Sequence, residues 1–438
     1  MPIQQVVSMS KIRRNSIKKS FHQGLRRVLN FLPKQSRFRI YRNLVDCDPA
    51  PDVRLVLKVA ETREELEASF RILHDAYVAS GFMKPDPSGM RVTAYHALPT
   101  TTTLCAKYDD RVVGTISMIR DGVFGFPMQS IFDLELVRAQ GGKIAEISAL
   151  AIHPDFRKTG GWILFPLMKF MHAYCTEYFD TRHLVIAVNP DKIELYESLL
   201  YFQRLQEKVV ANYDFVNGAP AVGASLDLKY AKETFRKGYR GKPLRKNLYE
   251  YFCNLDLPNI KAPPRRYFTT NDPVMTPQLL DYFFNQKTRQ FAGLDERKKS
   301  LLWSIYDHID FRRILPGLPV ALSSAHPLRQ HQRYSLRCPG QVTMPSDLGP
   351  LTFDFEVIEI SLSGFQAECG ADFPIGLSGE ASIELGAAEH SVVHVTGMRR
   401  KRVNGNAFIG FKLAEPDQVW RHCVAAIETG FTSSDLLQ

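Results

Sequence analysis

Arg329, Arg333 and Arg337 stand at four-residue intervals, and about twenty residues later the run Glu359-Ile-Ser361-Leu-Ser-Gly364 closes a β-type stretch. A guanidinium is a planar fork. It binds a phosphate through two parallel hydrogen bonds, or the O6/N7 edge of guanine, and its face stacks on a purine. A serine hydroxyl can donate to a phosphate or a base, and a glycine lets backbone come close to what it binds. The pattern suits an anionic purine nucleotide. The plain alternative is a solvated arginine run beside a strand turn, because the arginine spacing alone is a weak signal.

A second stretch with chemistry in it runs from Ala145 to Arg157 and on into Lys158-Thr159-Gly160-Gly161. It reads as an apolar strand, then a basic loop with glycines, then a helix. The free N–H groups at such a helix start attract an anion. Cysteine chemistry is not indicated. Cys47, Cys105, Cys175, Cys253, Cys338, Cys369 and Cys423 are scattered, odd in number and without a CxxC pair. That pattern argues against a zinc site or a disulfide framework and for a reducing cytoplasm.

Four pieces position these residues in 438 residues, a length that suggests two or three domains. Residues 1–50 are basic. Eleven of the 56 Lys and Arg fall within residues 1–45 and none of the 46 Asp and Glu, so the remainder is close to neutral. Ile17, Phe21, Leu25, Val28, Leu29 and Leu32 recur at helical spacing among Lys18, Lys19, Arg26 and Arg27. A basic amphipathic helix over residues 11–32 suits an anionic membrane surface, or equally a docked helix; nothing in it reads a nucleic acid specifically. No apolar run is long enough to span a bilayer, and no secretory signal opens the chain.

Residues 51–228 alternate strands and helices. Val53–Val59, Thr103–Lys107, Val112–Ile119, Ile144–Ile152 and Leu184–Val188 read as strands, with a turn at Asp109–Asp110. A Thr62–Glu65 capping box opens a helix with Phe70, Leu73 and Tyr77 on its buried face. Helices follow at about 161–178 and Asp191–Leu200. Residues 229–318 are a helical extension or linker, with one helix from Thr276–Pro277 through Phe291 and another from Asp295 to Arg313. Residues 319–438 hold short β-type runs (Phe353–Ile360, Ala381–Leu385, Ser391–Thr396, Ala407–Leu413) and a closing helix. The fold class is α+β, in several domains.

Residues 325–430 resemble the PilZ family, whose motifs are RxxxR and D/N-x-S-x-x-G, and Ile409-Gly410-Phe411 fits its last strand. The resemblance implies an antiparallel β-barrel that binds cyclic di-GMP as an allosteric ligand. Arg333 and Arg337 would carry the first motif, Arg329 would assist, and Ser361 and Gly364 would belong to the second. Glu359 stands where the family has Asp or Asn, its carboxylate one methylene further out but still able to accept from guanine N1 and N2.

The 145–161 run resembles motif A of the GNAT acyltransferases, and Val188-Asn189-Pro190 with Leu195-Tyr196-Glu197 resembles a later motif of that fold. With Thr276–Gln286 and Trp303–Pro316, residues 52–318 look most like the long-chain N-acyl amino acid synthases (FeeM-type). That implies a GNAT-like fold and transfer of a long acyl chain to an amino acid amine. Glu146 would be the general base, directly or through water, and Tyr196 the acid for the leaving thiol. N–H groups near Leu150 and Ile152 would hold the oxyanion and the pantetheine arm. Arg157, Gly160 and Gly161 would bind the donor phosphate. Trp162 occupies the last small position of the family's R/Q-x-x-G-x-G/A loop. An indole there should crowd a diphosphate, which favours the single phosphate of an acyl carrier protein over coenzyme A.

Each residue has a bland counterpart. Glu146 could be a carboxylate paired with a basic neighbour, Tyr196 a packing residue and His153 a turn residue. The Thr100–Thr103 run reads as strand surface, or as a contact for an acceptor carboxylate. Three functions stand open: a cytoplasmic synthase regulated by the nucleotide, peripheral at the inner face of the membrane; an inactive shell serving as a receptor; and a CoA-dependent acetyltransferase. No metal or covalently bound cofactor is implied.

Overall fold

The computed structural model describes residues 32–428 apart from 158–159, 263–271, 273–274, 320–330, 347–348, 372, 387–388 and 404–405. Arg329 and the basic stretch 11–31 lie outside the described residues.

Nine strands form one mixed sheet: β1 (Leu55–Val59), β2 (Thr101–Tyr108), β3 (Arg111–Arg120), β4 (Lys143–Ile152), β5 (Thr181–Val188), β6 (Gln203–Arg204), β7 (Val210–Tyr213), β8 (Ala219–Asp227) and β9 (Ile260–Lys261). Their order is β6-β8-β5-β4-β3-β2-β1-β9, with β7 beside β8. The β2–β3 hairpin turns at Asp109 and Asp110, both at positive φ (48° and 61°), where short polar side chains tolerate the left-handed region. β4 and β5 run parallel, joined by the helix Leu164–Phe179, whose Leu167, Phe170 and Tyr174 are buried against one face of the sheet.

The other face is covered by the helix Arg63–Ala79. Thr62 caps it: its hydroxyl accepts from the Glu65 N–H at 3.2 Å, and the Glu65 carboxylate accepts from the Thr62 N–H at 3.5 Å. Phe70 and Leu73 are fully buried and share a core with Leu280, Phe283, Phe284, Leu302 and Phe311. The stretch read as an extension or linker thus packs as part of the same body, and β9 adds a strand parallel to β1.

Both long helices expected there are broken. The first is α-helical over Pro277–Leu280, widens into a π-helix over Asp281–Lys287 and ends, with Thr288 donating back to the Phe283 carbonyl at 2.6 Å. The second spans Glu296–Ile305 and restarts at Ile309–Arg312. Between the two segments the Tyr306 hydroxyl donates to the Ala97 carbonyl at 2.5 Å, tying the break to the 3-10 turn Ala94–Ala97 ahead of β2.

The described part of the basic segment, Lys34–Asn43, is a helix docked on the helix Pro190–Leu200. Lys34 pairs with Glu197 at 2.9 Å and Arg37 with Glu194 at 2.6 Å. Among the described residues no helix is long and apolar enough to cross a membrane.

The last six strands are β10 (Tyr334–Met344), β11 (Leu351–Ser361), β12 (Gly364–Cys369), β13 (Ser378–Gly386), β14 (Glu389–Val403) and β15 (Asn406–Leu413). They close into an antiparallel barrel in the order β10-β11-β12-β15-β14-β13, which leaves no free edge. Phe355, Phe365 and Phe411 stack inside, with centroids 4.7–5.7 Å apart. The helix Gln418–Glu428 plugs the barrel with Trp420, fully buried, whose indole N–H donates to the Ser361 carbonyl at 2.9 Å.

Candidate active site and a second, cationic cleft

The parallel ladder between β4 and β5 holds from Lys143–Thr181 to Glu146–Val185 and stops there. Beyond it β5 stays paired only with β8, on its other side, while β4 carries on beside β3. Ala149 sits at φ 56°, close to the register shift against β3. A non-glycine residue in that region costs roughly 1–3 kcal/mol, so the surrounding packing holds it there. A cavity of about 240 Å³ opens where the strands part. Its walls include Ile147–Leu150 of β4, Ile186–Val188 of β5, Met168 and Met171 of the central helix, Tyr196 and Phe202, and Tyr77 and Tyr213. Most of these are apolar, which suits an aliphatic chain.

Glu146 occupies the last rung of the ladder and is only 2% exposed. Its carboxyl is pushed up to about 8, chiefly because burial disfavours the charged form; the Met128 N–H, donating at 3.0 Å, partly offsets this. Among the described residues no salt bridge reaches Glu146, unlike a carboxylate paired with a basic neighbour. Its charge also raises the phenols of Tyr95 and Tyr213, after burial as the main cause. Glu146 does not itself line the cavity, whereas Tyr213 does. Tyr213 is 3% exposed and its hydroxyl has no hydrogen-bond partner among the described residues. Reading from the sequence missed it, because nothing in Val-Ala-Asn-Tyr213 marks a strand end that folds over the cavity.

Tyr196 lines the cavity beside Asn189 and Lys192, its ring edge-on to Phe202 at 5.9 Å. Burial pushes its phenol up to about 12, so it keeps its proton across the physiological range. Leu150 is a wall residue, and the Ile152 carbonyl accepts from Arg157 Nε at 2.7 Å. Gly160 and Gly161 both lie at positive φ (72° and 92°), and a Cβ on Gly161 would stand 2.5 Å from the Phe165 ring. Only glycine fits that turn.

Trp162 stacks on Phe156 (6.0 Å, 14°) and meets the edge of Tyr108 (5.0 Å). The indole is engaged in this cluster. His153 caps its turn, accepting from the Asp155 N–H at 3.4 Å. Thr101, Thr102 and Thr103 are buried rather than on the surface. Thr102 is held by Asp272 and accepts from Arg120 at 2.8 Å, which leaves it no role toward an acceptor.

The barrel carries a second cleft of about 280 Å³, lined by His331, Arg333, Glu359, Ser361, Ser363, Gly364, Met398, Arg399, Gly410 and Lys412, among others. The structure changes the expected roles in four ways. Arg333 reaches the cleft but is ion-paired there with Glu359. Arg337 is not a lining residue. It lies within strand β10, pairs with Glu356 and comes within 3.9 Å of Glu368; Lys143, at the start of β4, senses both Arg337 and Glu356. Ser361 lines the cleft and donates its hydroxyl to the Gly364 carbonyl at 3.0 Å, holding the turn. Gly364 is required because a Cβ there would stand 2.3 Å from the Phe411 carbonyl of β15, so the close approach is to the barrel itself.

Arg399 was missed. It comes from the exposed run Met398-Arg-Arg-Lys-Arg402 and lies across Gly410, where a Cβ would meet it at 3.0 Å. Burial raises the Glu359 carboxyl while Arg333 opposes the shift.

No curated protein matches the chain. Among solved structures, FeeM, an N-acyl amino acid synthase from uncultured soil microbes, is 26% identical, with 41% of this chain and 95% of that one covered and a TM-score of 0.36. The CoA-dependent acyl-homoserine lactone synthase BjaI is 19% identical, covering 48% and 95%, with a TM-score of 0.35. YcgR from Escherichia coli, solved in complex with c-di-GMP, is 14% identical, covering 24% and 47%, with a TM-score of 0.21. Residues 68–227, which hold both the Glu146 rung and the Tyr196 wall, match the family model of the N-acyl amino acid synthase FeeM. Over residues 68–227 the chain is thus similar to that family, and it is an N-acyltransferase.

Proposed function

We propose that this N-acyltransferase is a cyclic di-GMP-responsive synthase that moves a long acyl chain from the phosphopantetheine thioester of an acyl carrier protein onto the α-amine of an amino acid. The observation that carries this reading is the apolar cavity that opens beyond the last β4–β5 rung, where Glu146 sits. The amine nitrogen attacks the thioester carbonyl, the C–N bond forms and the C–S bond breaks. Glu146 takes the ammonium proton through water, and Tyr196 supplies one to the departing thiolate. The edge of β4 beyond Glu146, freed from β5, offers backbone groups around Leu150 and Ile152 to the oxyanion and the pantetheine arm. Arg157 Nε is taken up by the Ile152 carbonyl, leaving its terminal nitrogens for a phosphate beside Gly160 and Gly161, which suits a single phosphate.

In this reading the barrel is a PilZ-type domain. Its cleft would take the nucleotide phosphates on Arg333, Arg399 and Lys412, with Arg329 assisting, and Glu359 would accept from guanine once Arg333 is released. Arg333 is also an electrostatic neighbour of Asp307, at the break between the helices Glu296–Ile305 and Ile309–Arg312. A ligand that draws Arg333 away would alter that junction, which gives regulation a physical route. The protein would act in the cytoplasm, with residues 11–32 reaching an anionic membrane surface. Mass spectrometry of lipid extracts from expressing cells tests the reading: N-acyl amino acids are expected with the natural chain and absent with Glu146→Gln. Their absence in both would refute it.

A further inference from the structure

Arg91 is a buried guanidinium, 9% exposed, lying between the rings of Tyr77 (4.1 Å) and Phe215 (4.9 Å). Nη2 donates to the Phe215 carbonyl at 2.9 Å. Among the described residues no salt bridge joins it to a carboxylate, and burial lowers its pKa despite help from Tyr77 and Tyr213. A buried cation held only by rings, phenols and a carbonyl is unusual, because its desolvation is normally offset by an anion. Stacking both faces of the fork leaves its edge as the hydrogen-bonding side.

Two of its neighbours, Tyr77 and Tyr213, are cavity walls. The Tyr213 hydroxyl is one of the buried donors that have no partner among the described residues, and Arg91 and Glu146 both act on it electrostatically. Tyr213 is therefore a cavity wall that neighbours both a cation and a carboxyl.

We propose that Arg91 and the Tyr213 hydroxyl bind the α-carboxylate of the acceptor amino acid, so that its α-ammonium faces Glu146. This rests on the synthase reading and deepens it: the enzyme selects acceptors by their free carboxylate, and simple amines or amino acid amides are poor substrates. Arg91 and Tyr213 act on substrate binding; the proton transfer stays with Glu146.

The test uses the full chain, an acyl-carrier-protein thioester, the best acceptor among the twenty standard amino acids, and the carboxamide of that acceptor. With the natural chain, kcat/KM for the free acid should exceed that for the carboxamide by about 10- to 100-fold, the range for losing a hydrogen bond to a charged group. Arg91→Lys and Arg91→Met should raise KM for the free acid and collapse the acid-to-carboxamide ratio toward one, with lysine retaining more of it. Tyr213→Phe should reduce the ratio in part. If Arg91→Met does not fold, the ratio in the natural chain and in Tyr213→Phe still decides. Equal use of acid and carboxamide by the natural chain, or an unchanged ratio in the variants, overturns the proposal while the synthase reading stands. Failure to acylate any amine refutes the synthase reading, and this proposal with it.

Discussion

Glu146 owes its raised carboxyl to burial, which one backbone N–H partly offsets. With its carboxyl near 8, the basic form grows about tenfold per pH unit below that value. The rate of amide formation should therefore climb with pH until about 8. Glu146→Gln should lower it by about 10²- to 10⁴-fold, the usual contribution of a general base, measured as initial rates between pH 6 and 9. The same shift bears on stability. A carboxyl raised in the folded state binds more protons there than in the unfolded chain, so its contribution is fully present below the unfolded value of about 4.3 and is lost as pH rises through 8. Denaturant melts at pH 5 and pH 8.5 should show Glu146→Gln gaining on the natural chain at the higher pH. The sequence showed Glu146 as a lone acid in an apolar strand, and its position invited a catalytic role. It could not show Arg91 or Tyr213, whose meaning comes from β7 and the loop before β2 meeting over one cavity.

Strands and turns set these residues in place, and several were legible. The Thr62–Glu65 box, the Asp109–Asp110 turn and the run of β4 are local patterns, fixed by neighbours in the chain. Side-chain direction in the barrel was not. The sequence put Arg333 and Arg337 on one cleft because they are four residues apart. The β10–β11 register shift between Ser335 and Cys338 lies across that interval, and Arg337 finds Glu356 instead. Helix breaks at Lys287 and Tyr306 were hidden for a similar reason: each is stabilised by contacts made elsewhere in the fold. At this scale Gly364→Ala should destabilise the barrel by about 1–3 kcal/mol, the typical cost of overpacking, since its Cβ would press on the Phe411 carbonyl. Chemical denaturation followed by the fluorescence of Trp420 would report it.

Among the described residues, charged side chains of the barrel have electrostatic neighbours in the rest of the chain. Arg337 and Glu356 lie by Lys143, three residues before Glu146 on β4, and Arg333 lies by Asp307. The two arginines once expected to share a ligand thus divide the work, one at the cleft and one toward the sheet. Calorimetric titration with cyclic di-GMP should lose its heat signal in Arg333→Ala and Arg399→Ala and keep it in Arg337→Ala. The most direct measurement of all is made with purified protein: an acyl-carrier-protein thioester and a mixture of amino acids, with product identified by mass spectrometry, with and without cyclic di-GMP. Expected is an N-acyl amino acid formed with release of the carrier thiol, at a rate that changes with the nucleotide and vanishes in Glu146→Gln. Thioester left intact, or the same product made equally fast by Glu146→Gln, would contradict it.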